Sequence, residues 1–162
     1  MSASIASAAF RDALAQFASG VTIVTAQGAS GPVGFTATGF TSVSLSPPLI
    51  LVCINKTASA HDAVTSADHF GVNILDEKQT WVALQFARSG VDRFSGVPTR
   101  ISDRAGVPLI DGALAHIECR NHARHIAGDH TILFGEVLSG AVGAGRPLLH
   151  FARQFGSLLP IT

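Results

Sequence analysis

Along the chain, apolar residues fall mostly into short blocks with strand periodicity, and only a few windows carry a helical period. Ser7 can cap a first helix over residues 8–19, where Phe10, Leu14, Phe17 and Ala18 share one face and Arg11, Asp12 and Gln16 the other. Gly20 is placed to end it. Residues 21–26 are β-branched and largely alternating, and the turn chemistry of residues 27–32 joins them to the next segment as a hairpin. In residues 34–45, Phe35, Ala37 and Gly39 alternate with Thr36, Thr38 and Phe40, followed by Thr41, Ser42 and Ser44 around Val43. This reads as a strand pair rich in hydroxyls.

After Pro47 and Pro48, the apolar run 49–54 predicts a buried strand. It breaks at Asn55-Lys56-Thr57-Ala58-Ser59 before a helical window at 60–67, with Ser59 as its natural N-cap. Residues 70–75 read as another buried strand, and Asp76 caps a helix from Glu77 to about Ala87 with Trp81, Leu84 and Phe86 turned inward. Residues 88–99 are irregular, and their Asp92-Arg93-Phe94 segment is either a flap or a surface packed on a partner. Strands resume at 113–121, 122–127 and 131–140, the first introduced by an Asp111-Gly112 turn and the last two joined by Gly128-Asp129-His130. The tail carries Leu148, Leu149, Phe151 and Phe155. Six to eight short strands with two or three helices predict a mainly β protein, a small antiparallel barrel with peripheral helices in a single domain over residues 1–162.

Composition adds an assembly. Hydrophobic residues make up 47% of the 162 and charged ones 14%, so apolar surface is expected to be covered by a second subunit of the same chain. Lys plus Arg and Asp plus Glu both number 11, leaving no global field to attract nucleic acid or an anionic membrane. Cys53 and Cys119 lie in apolar runs without a CxxC partner and read as buried free thiols. Residues 1–9 lack a basic start, and Arg11 and Asp12 interrupt them, so neither a signal peptide nor a membrane span is expected and the cytoplasm is the expected compartment.

Four histidines, His116, His122, His125 and His130, lie close in sequence, but no HExxH occurs and alternate strand positions face opposite ways, so no metal site is expected. No G-x-S-x-G nucleophile motif is present. The glycines of residues 140–145 are in the wrong order for a dinucleotide fingerprint, and Arg146-Pro147 stands where a helix should begin. A hydroxyl-lined strand beside the Asn55–Ser59 loop and its helix start suits a phosphate, since free N–H groups at a helix start favour an anion. The simpler alternative is that Ser59 only caps and Lys56 is solvated. Gly128-Asp129-His130 is ordinary turn chemistry, or else it sets a histidine at a barrel mouth where its ring can meet a planar ligand.

Taken together, GFTATGFTSVSLSPPLILVCINKTAS from Gly34, the Asp92-Arg93-Phe94 triplet and AGDHTILFGEV from Ala127 resemble the short-chain flavin reductases, the reductase components of two-component flavin-dependent monooxygenases. The resemblance runs from about Phe10 to Phe155. It implies a six-stranded antiparallel split β-barrel of Greek-key topology with peripheral helices, a homodimer, and FMN or FAD near the subunit interface with NADH or NADPH docking over it. By position, Thr36, Ala37 and Thr38 would lie along the flavin ring edge beside Thr41, Ser42 and Val43. Cys53, Ile54 and Asn55 would continue the wall. Lys56, Ser59 and Ala60 would hold the phosphate, and Phe86 and Arg88 would close the site. His130 would contact the nicotinamide, and Phe151 and Phe155 would stand near its pocket. Thr38 occupies a position where relatives often carry Asn, and the chain has no Tyr.

The implied activity is hydride transfer from the nicotinamide to the flavin, with the cofactors supplying the chemistry and the protein the geometry and electrostatics. Reduced flavin would diffuse to a separate oxygenase. Two rival readings share the fold: a reductase with another acceptor such as a cobalt corrin, and a non-enzymatic flavin- or haem-binding module. Neither nucleic acid nor a membrane is an expected partner.

Overall fold

In the computed structural model, which describes residues 7–161, the chain runs α1 (Ser7–Leu14), β1 (Ser19–Gly20), β2 (Thr22–Gly28), β3 (Gly31–Ala37), β4 (Phe40–Leu45) and β5 (Pro48–Asn55). It continues through α2 (His61–Ser66), β6 (His69–Ile74), a 3-10 turn (Glu77–Gln79), α3 (Thr80–Ala87), β7 (Thr99–Ile101) and β8 (Pro108–Ile110). The long hairpin β9 (Ala115–Ala127) and β10 (His130–Val142) and the short one β11 (Leu148–Phe151) and β12 (Gln154–Ser157) complete it. Residues 1–6 of the small, apolar N-terminal stretch lie outside the described residues.

The protein is mainly β. Its principal sheet has seven strands rather than six, in the order β3-β2-β6-β9-β10-β5-β4, and every pairing is antiparallel. The two edge strands, β3 and β4, are consecutive in the chain. Only Thr38 and Gly39 separate them, yet no ladder joins them, so the sheet is not closed. The expected strand pair in residues 34–45 is therefore two strands on opposite edges. The hydroxyl pattern marked both strands correctly but carried nothing about their partners.

Val21 to Ala26 are all buried because β2 is covered on both faces. Val24 and Ala26 join a core inside the curved sheet with Phe35, Val52, Ile54, Phe70, Val72 and Leu133. Val21 and Ile23 join a second core under α3, with Leu75, Val82, Ala83, Phe86 and Ile110. Burying side chains of this size contributes roughly 1.5–3 kcal/mol each, so these two clusters supply the main driving force.

Several expectations about helices are corrected. α1 stops at Leu14, not Ser19, because Ser19 and Gly20 leave to pair with His150 and Leu149 of β11. The apolar residues of the expected helix are not covered by the chain: Phe10 and Leu14 of α1, and Phe17 after it, are exposed. Ser59 does not cap α2. Tight turns closed by Ala58 N–H to Asn55 O (3.0 Å) and His61 N–H to Ala58 O (2.9 Å) carry the chain past it, and the N-cap position is Ala60, without a side-chain bond. Asp76 does cap, through a full capping box with Gln79, but it starts a 3-10 turn. That tighter turn shifts the phase of α3, so the inward stripe is Val82, Ala83 and Phe86, while Trp81 and Leu84 are 49% and 52% exposed. Residues 113–121 and 122–127, expected as two strands, contribute to one, β9. A register shift opposite Phe134 and Gly135 leaves His122 without a partner and moves the polar pattern to the other face, which in sequence looks like a break.

Candidate active site

A hollow of about 520 Å³ opens where the sheet fails to close. Its lining runs from Thr36 and Ala37 at the end of β3 through Thr38 and Gly39, whose carbonyl accepts the Cys53 N–H at 2.8 Å, to Cys53 and Asn55 of β5 and His130 at the start of β10. The floor is Phe35 and Phe86. Thr57, Ala58 and Ser59 of the β5–α2 loop and Ser89 and Arg93 after α3 complete the lining.

Each group is held by a local reason. Phe86 sits flat against β3 because residue 34 is glycine; a Cβ there would come within 2.9 Å of the Phe86 ring. Phe94 meets the Phe86 ring edge-on at 4.9 Å. Thr36 donates its hydroxyl to the Ala83 carbonyl of α3 at 2.7 Å, so it presents only acceptor character to the hollow. Asn55 Oδ1 accepts from the Thr57 N–H (2.8 Å) and hydroxyl (2.7 Å), which leaves its amide N–H groups for a ligand.

Arg93 is the arginine that lines this hollow. Its Nη1–H donates to Gly34 O and its Nε–H to Arg88 O, both at 2.8 Å. Among the described residues it forms no ion pair. Partial burial lowers its pKa from the ordinary value of 12.5, a small cost for a group that stays charged. An uncompensated guanidinium beside free hydroxyls is a receptor for a phosphate. The Asp92-Arg93-Phe94 segment is thus tied to its own chain by Arg93. Gln85 Nε2 also ties it down, donating to the carbonyls of Arg93 (2.9 Å) and Ser95 (2.8 Å).

Next to His130, Gly128 takes φ +59, in the left-handed region, and lets β9 turn into β10. His130 pairs across the ladders with Ala127 and Asn55. Asp129 Oδ1 lies 2.7 Å from His130 Nδ1, and this bond is the largest cause holding the Asp129 carboxyl below its ordinary pKa; the ring charge and Lys56 add to it. Lys56 Nζ donates to Gly128 O at 2.7 Å, and Lys56 N–H to Asp129 O at 3.0 Å. Lys56 thereby clamps the histidine turn to the loop after β5.

Of the residues singled out in the sequence, the hollow brings together Thr36, Ala37, Thr38, Cys53, Asn55, Ser59, Phe86 and His130. Ile54 faces the opposite way into the core. Thr41 lines a neighbouring apolar groove, while Ser42 and Val43 are exposed along β4. Ala60 is buried behind Ser59, and the Arg88 side chain is exposed, its carbonyl serving Arg93. Phe151 and Phe155 stand on the β11–β12 hairpin, where Phe155 meets the His150 ring edge-on at 5.5 Å. Arg93, Thr57 and Ser89 join the site without having been expected there. Arg93 lies in the triplet that carried the resemblance and Thr57 in the Asn55–Ser59 loop, so both had a signal; Ser89 had none. Among the described residues, no cluster of three His, Cys, Asp or Glu side chains could hold a metal.

A model of the flavin reductase like domain matches residues 14–159. The chain belongs to the flavin reductase-like family. It is 45% identical over 150 residues to the FMN reductase (NADH) SmoA of Agrobacterium fabrum, covering 93% of this chain and 85% of that protein. It is 39% identical over 163 residues to HsaB, the reductase subunit of a flavin-dependent monooxygenase of Mycobacterium tuberculosis, covering 99% and 87%. Among solved structures, an NADH:FAD oxidoreductase of Streptomyces globisporus in complex with NAD and FAD fragments superposes with a TM-score of 0.88 at 41% identity, over 93% of this chain and 92% of that one. In this flavin reductase-like chain, the hollow at the split in the sheet lies along the same hydroxyl-rich segment that carried the resemblance.

Proposed function

We propose that this protein is an NADH-dependent flavin reductase that passes hydride to FMN or FAD and releases reduced flavin to a separate monooxygenase component. One observation carries the reading: a single hollow is lined by both the anchored cation Arg93 and the clamped histidine His130. A phosphate-bearing planar ligand needs both groups. When bound, the nicotinamide supplies the hydride and the flavin ring accepts it.

The residues contribute binding, orientation and field. Arg93, Ser59 and Ser89 take the phosphate; Phe35 and Phe86 form the apolar floor; the Asn55 amide N–H groups and Thr38 reach the polar ring edge. Donors fixed in advance favour the extra negative charge of a reduced ring without reorganising. His130, steadied by Asp129 and by the Lys56 clamp, orients the nicotinamide and moves no proton.

The finer architecture belongs to the same proposal: one flavin reductase-like domain folded as a split β-barrel, in a homodimer. An apolar groove of about 540 Å³ between α1 and the β4–β5 ladder, lined by Leu14, Phe17, Phe40 and Leu51, adjoins the hollow at Thr38, Gly39 and Cys53. A second copy covering it would also wall the site. The free thiols Cys53 and Cys119 and the need for reduced nicotinamide suit the cytoplasm.

The test mixes purified protein with NADH or NADPH and FMN or FAD and monitors loss of reduced-nicotinamide absorbance under anaerobic conditions. Oxidation of NADH that requires added flavin is expected. No flavin-dependent oxidation in any of the four combinations overturns the reading.

A further inference from the structure

The loop before α2 and the turn before β10 both line the hollow, the first through Thr57, Ala58 and Ser59 and the second through His130. Lys56 joins them at the exposed surface. A second, more buried tie runs through His61, the first residue of α2, whose side chain is 16% exposed. His61 Nε2 lies 2.9 Å from the hydroxyl of Thr131, the residue after His130 on β10. Thr131 is 3% exposed and does not line the hollow, since successive strand residues face opposite ways. The imidazole therefore grips the back of the strand whose front carries His130.

Donor and acceptor roles follow from the neighbours. His61 Nδ1 lies 2.7 Å from Asp62 Oδ1, and a carboxylate accepts, so Nδ1 carries a proton. In the uncharged ring Nε2 then accepts from the Thr131 hydroxyl. The Asp62 side chain is 99% exposed, so its bond contributes little beyond choosing the tautomer. The main chain of His61 serves the loop: its N–H donates to Ala58 O at 2.9 Å and closes the turn that holds Ser59, while its carbonyl accepts from Thr65 Oγ1 at 2.8 Å. Asn121 Nδ2 fixes the C-terminal end of α2, donating to the carbonyls of Thr65 (3.0 Å) and Ala67 (3.2 Å). That end of α2 is thus held independently, and the His61 side chain sets where the Ser59 loop stands relative to β10.

We infer that His61 is a positioning residue for hydride transfer, acting through Thr131 to set the separation between the Ser59 loop, which takes the flavin phosphate, and His130, which orients the nicotinamide. The inference rests on the flavin reductase reading. Hydride transfer needs the two rings stacked with the reacting atoms roughly 3–3.5 Å apart, and a displacement of about 1 Å costs on the order of a hundredfold in rate. A bond that ties the seat of one cofactor to the group that aims the other acts on that distance. His61 itself does not line the hollow, so the binding of flavin alone does not depend on it.

The experiment compares the wild-type protein with His61→Ala, His61→Gln, Thr131→Val and the double variant of His61→Ala with Thr131→Val. It measures the single-turnover rate of FMN reduction at saturating NADH, the FMN dissociation constant and the melting temperature. Thr131→Val keeps the side-chain shape and breaks the bond from the strand side, without touching α2. His61→Ala and Thr131→Val should each lower the rate by about tenfold, with the FMN constant changed less than about twofold. The double variant should lose no more than about twofold beyond either single one, because both changes remove the same bond. His61→Gln, whose amide reaches the Thr131 hydroxyl, should recover the rate to within about threefold of wild type. A lowered melting temperature with an unchanged rate makes the bond merely structural and overturns the inference, as do multiplied losses in the double variant or an equal loss of FMN affinity. A wild-type protein without flavin-dependent NADH oxidation instead removes the flavin reductase reading itself, so the two failures are distinguishable.

Discussion

The two edges of the principal sheet are neighbours in sequence and unlike in surroundings. β3 carries one hydroxyl, Thr36, and β4 carries Thr41, Ser42 and Ser44, and only Thr38 and Gly39 lie between the two strands. On β3, α3 covers the edge: Gly34, Phe35 and Ala37 are buried, Thr36 bonds to α3, and Arg93 bonds to the backbone. On β4, Val43 is 46% and Leu45 94% exposed, and the strand pairs only with β5. The contrast teaches that the β3 edge is covered by the chain's own α3, whereas the outer edge of β4 pairs with no strand of this chain. Exposed sheet edges in lone proteins are normally blunted with charge. β4 carries no charge at all, which fits an edge that is covered in the working assembly.

The comparison breaks most severely at Phe86. Phe86→Ala should destabilise the protein by about 3–5 kcal/mol, read by chemical denaturation, because it empties the core under β3 and frees Phe94 and the Arg93 loop. An effect below about 1 kcal/mol would mean that β3 is not held by α3. At the rim of the same hollow, His130→Ala is expected to lower kcat/KM for NADH by about tenfold while leaving the FMN dissociation constant unchanged; unchanged steady-state kinetics would remove the orienting role. Thr36→Val should cost about 1 kcal/mol, since the Ala83 carbonyl loses its donor while the volume is kept.

On the open side the same kind of change should be nearly silent within one protomer. Phe17→Glu, facing the groove beside β4, is expected to shift protomer stability by less than about 0.5 kcal/mol, yet sedimentation should show the dimer converted to a monomer. Retention of the wild-type mass would place the interface elsewhere. The smallest expected effect separates the two thiols. Burial, with the Glu118 charge adding to it, pushes the Cys119 pKa up to about 12 from 9.0. An acid whose folded pKa is raised stays protonated in the native state while the unfolded chain ionises, so native stability falls as pH rises above about 9 and continues to fall to about 12. Near neutral pH, Cys119 should resist a thiol reagent until the protein unfolds. Half-buried Cys53, in the hollow wall, should react in the native state and be protected by added FMN. Equal labelling with and without flavin would place the flavin elsewhere.

Much of the site was legible because it is nearly continuous in sequence. Thr36, Ala37, Thr38, Cys53, Asn55 and Ser59 fall within one segment, and alternation assigns Cys53 and Asn55 to one face and Ile54 to the other once the strand is recognised. His130 was legible from its turn. Lys56 shows the limit. A lysine in a phosphate-like loop has the charge for a phosphate, but its Nζ reaches Gly128 across the strand pairing, a contact that no local pattern encodes. Arg93 is the converse, a cation in an irregular stretch whose value comes from two backbone carbonyls, Gly34 O and Arg88 O, the first far off in sequence.

By itself, then, the sequence determined the strand-rich class, the hairpin from β2 to β3, the Asp76 cap and the hydroxyl-rich segment that walls the hollow, because each depends on residues near one another along the chain. Tertiary structure alone decided which edge is covered, the phase of α3, the continuity of β9 through its bulge and the identity of the cation that lines the hollow. Those outcomes turn on packing against distant strands and on backbone groups, which carry no residue identity for a local pattern to reveal.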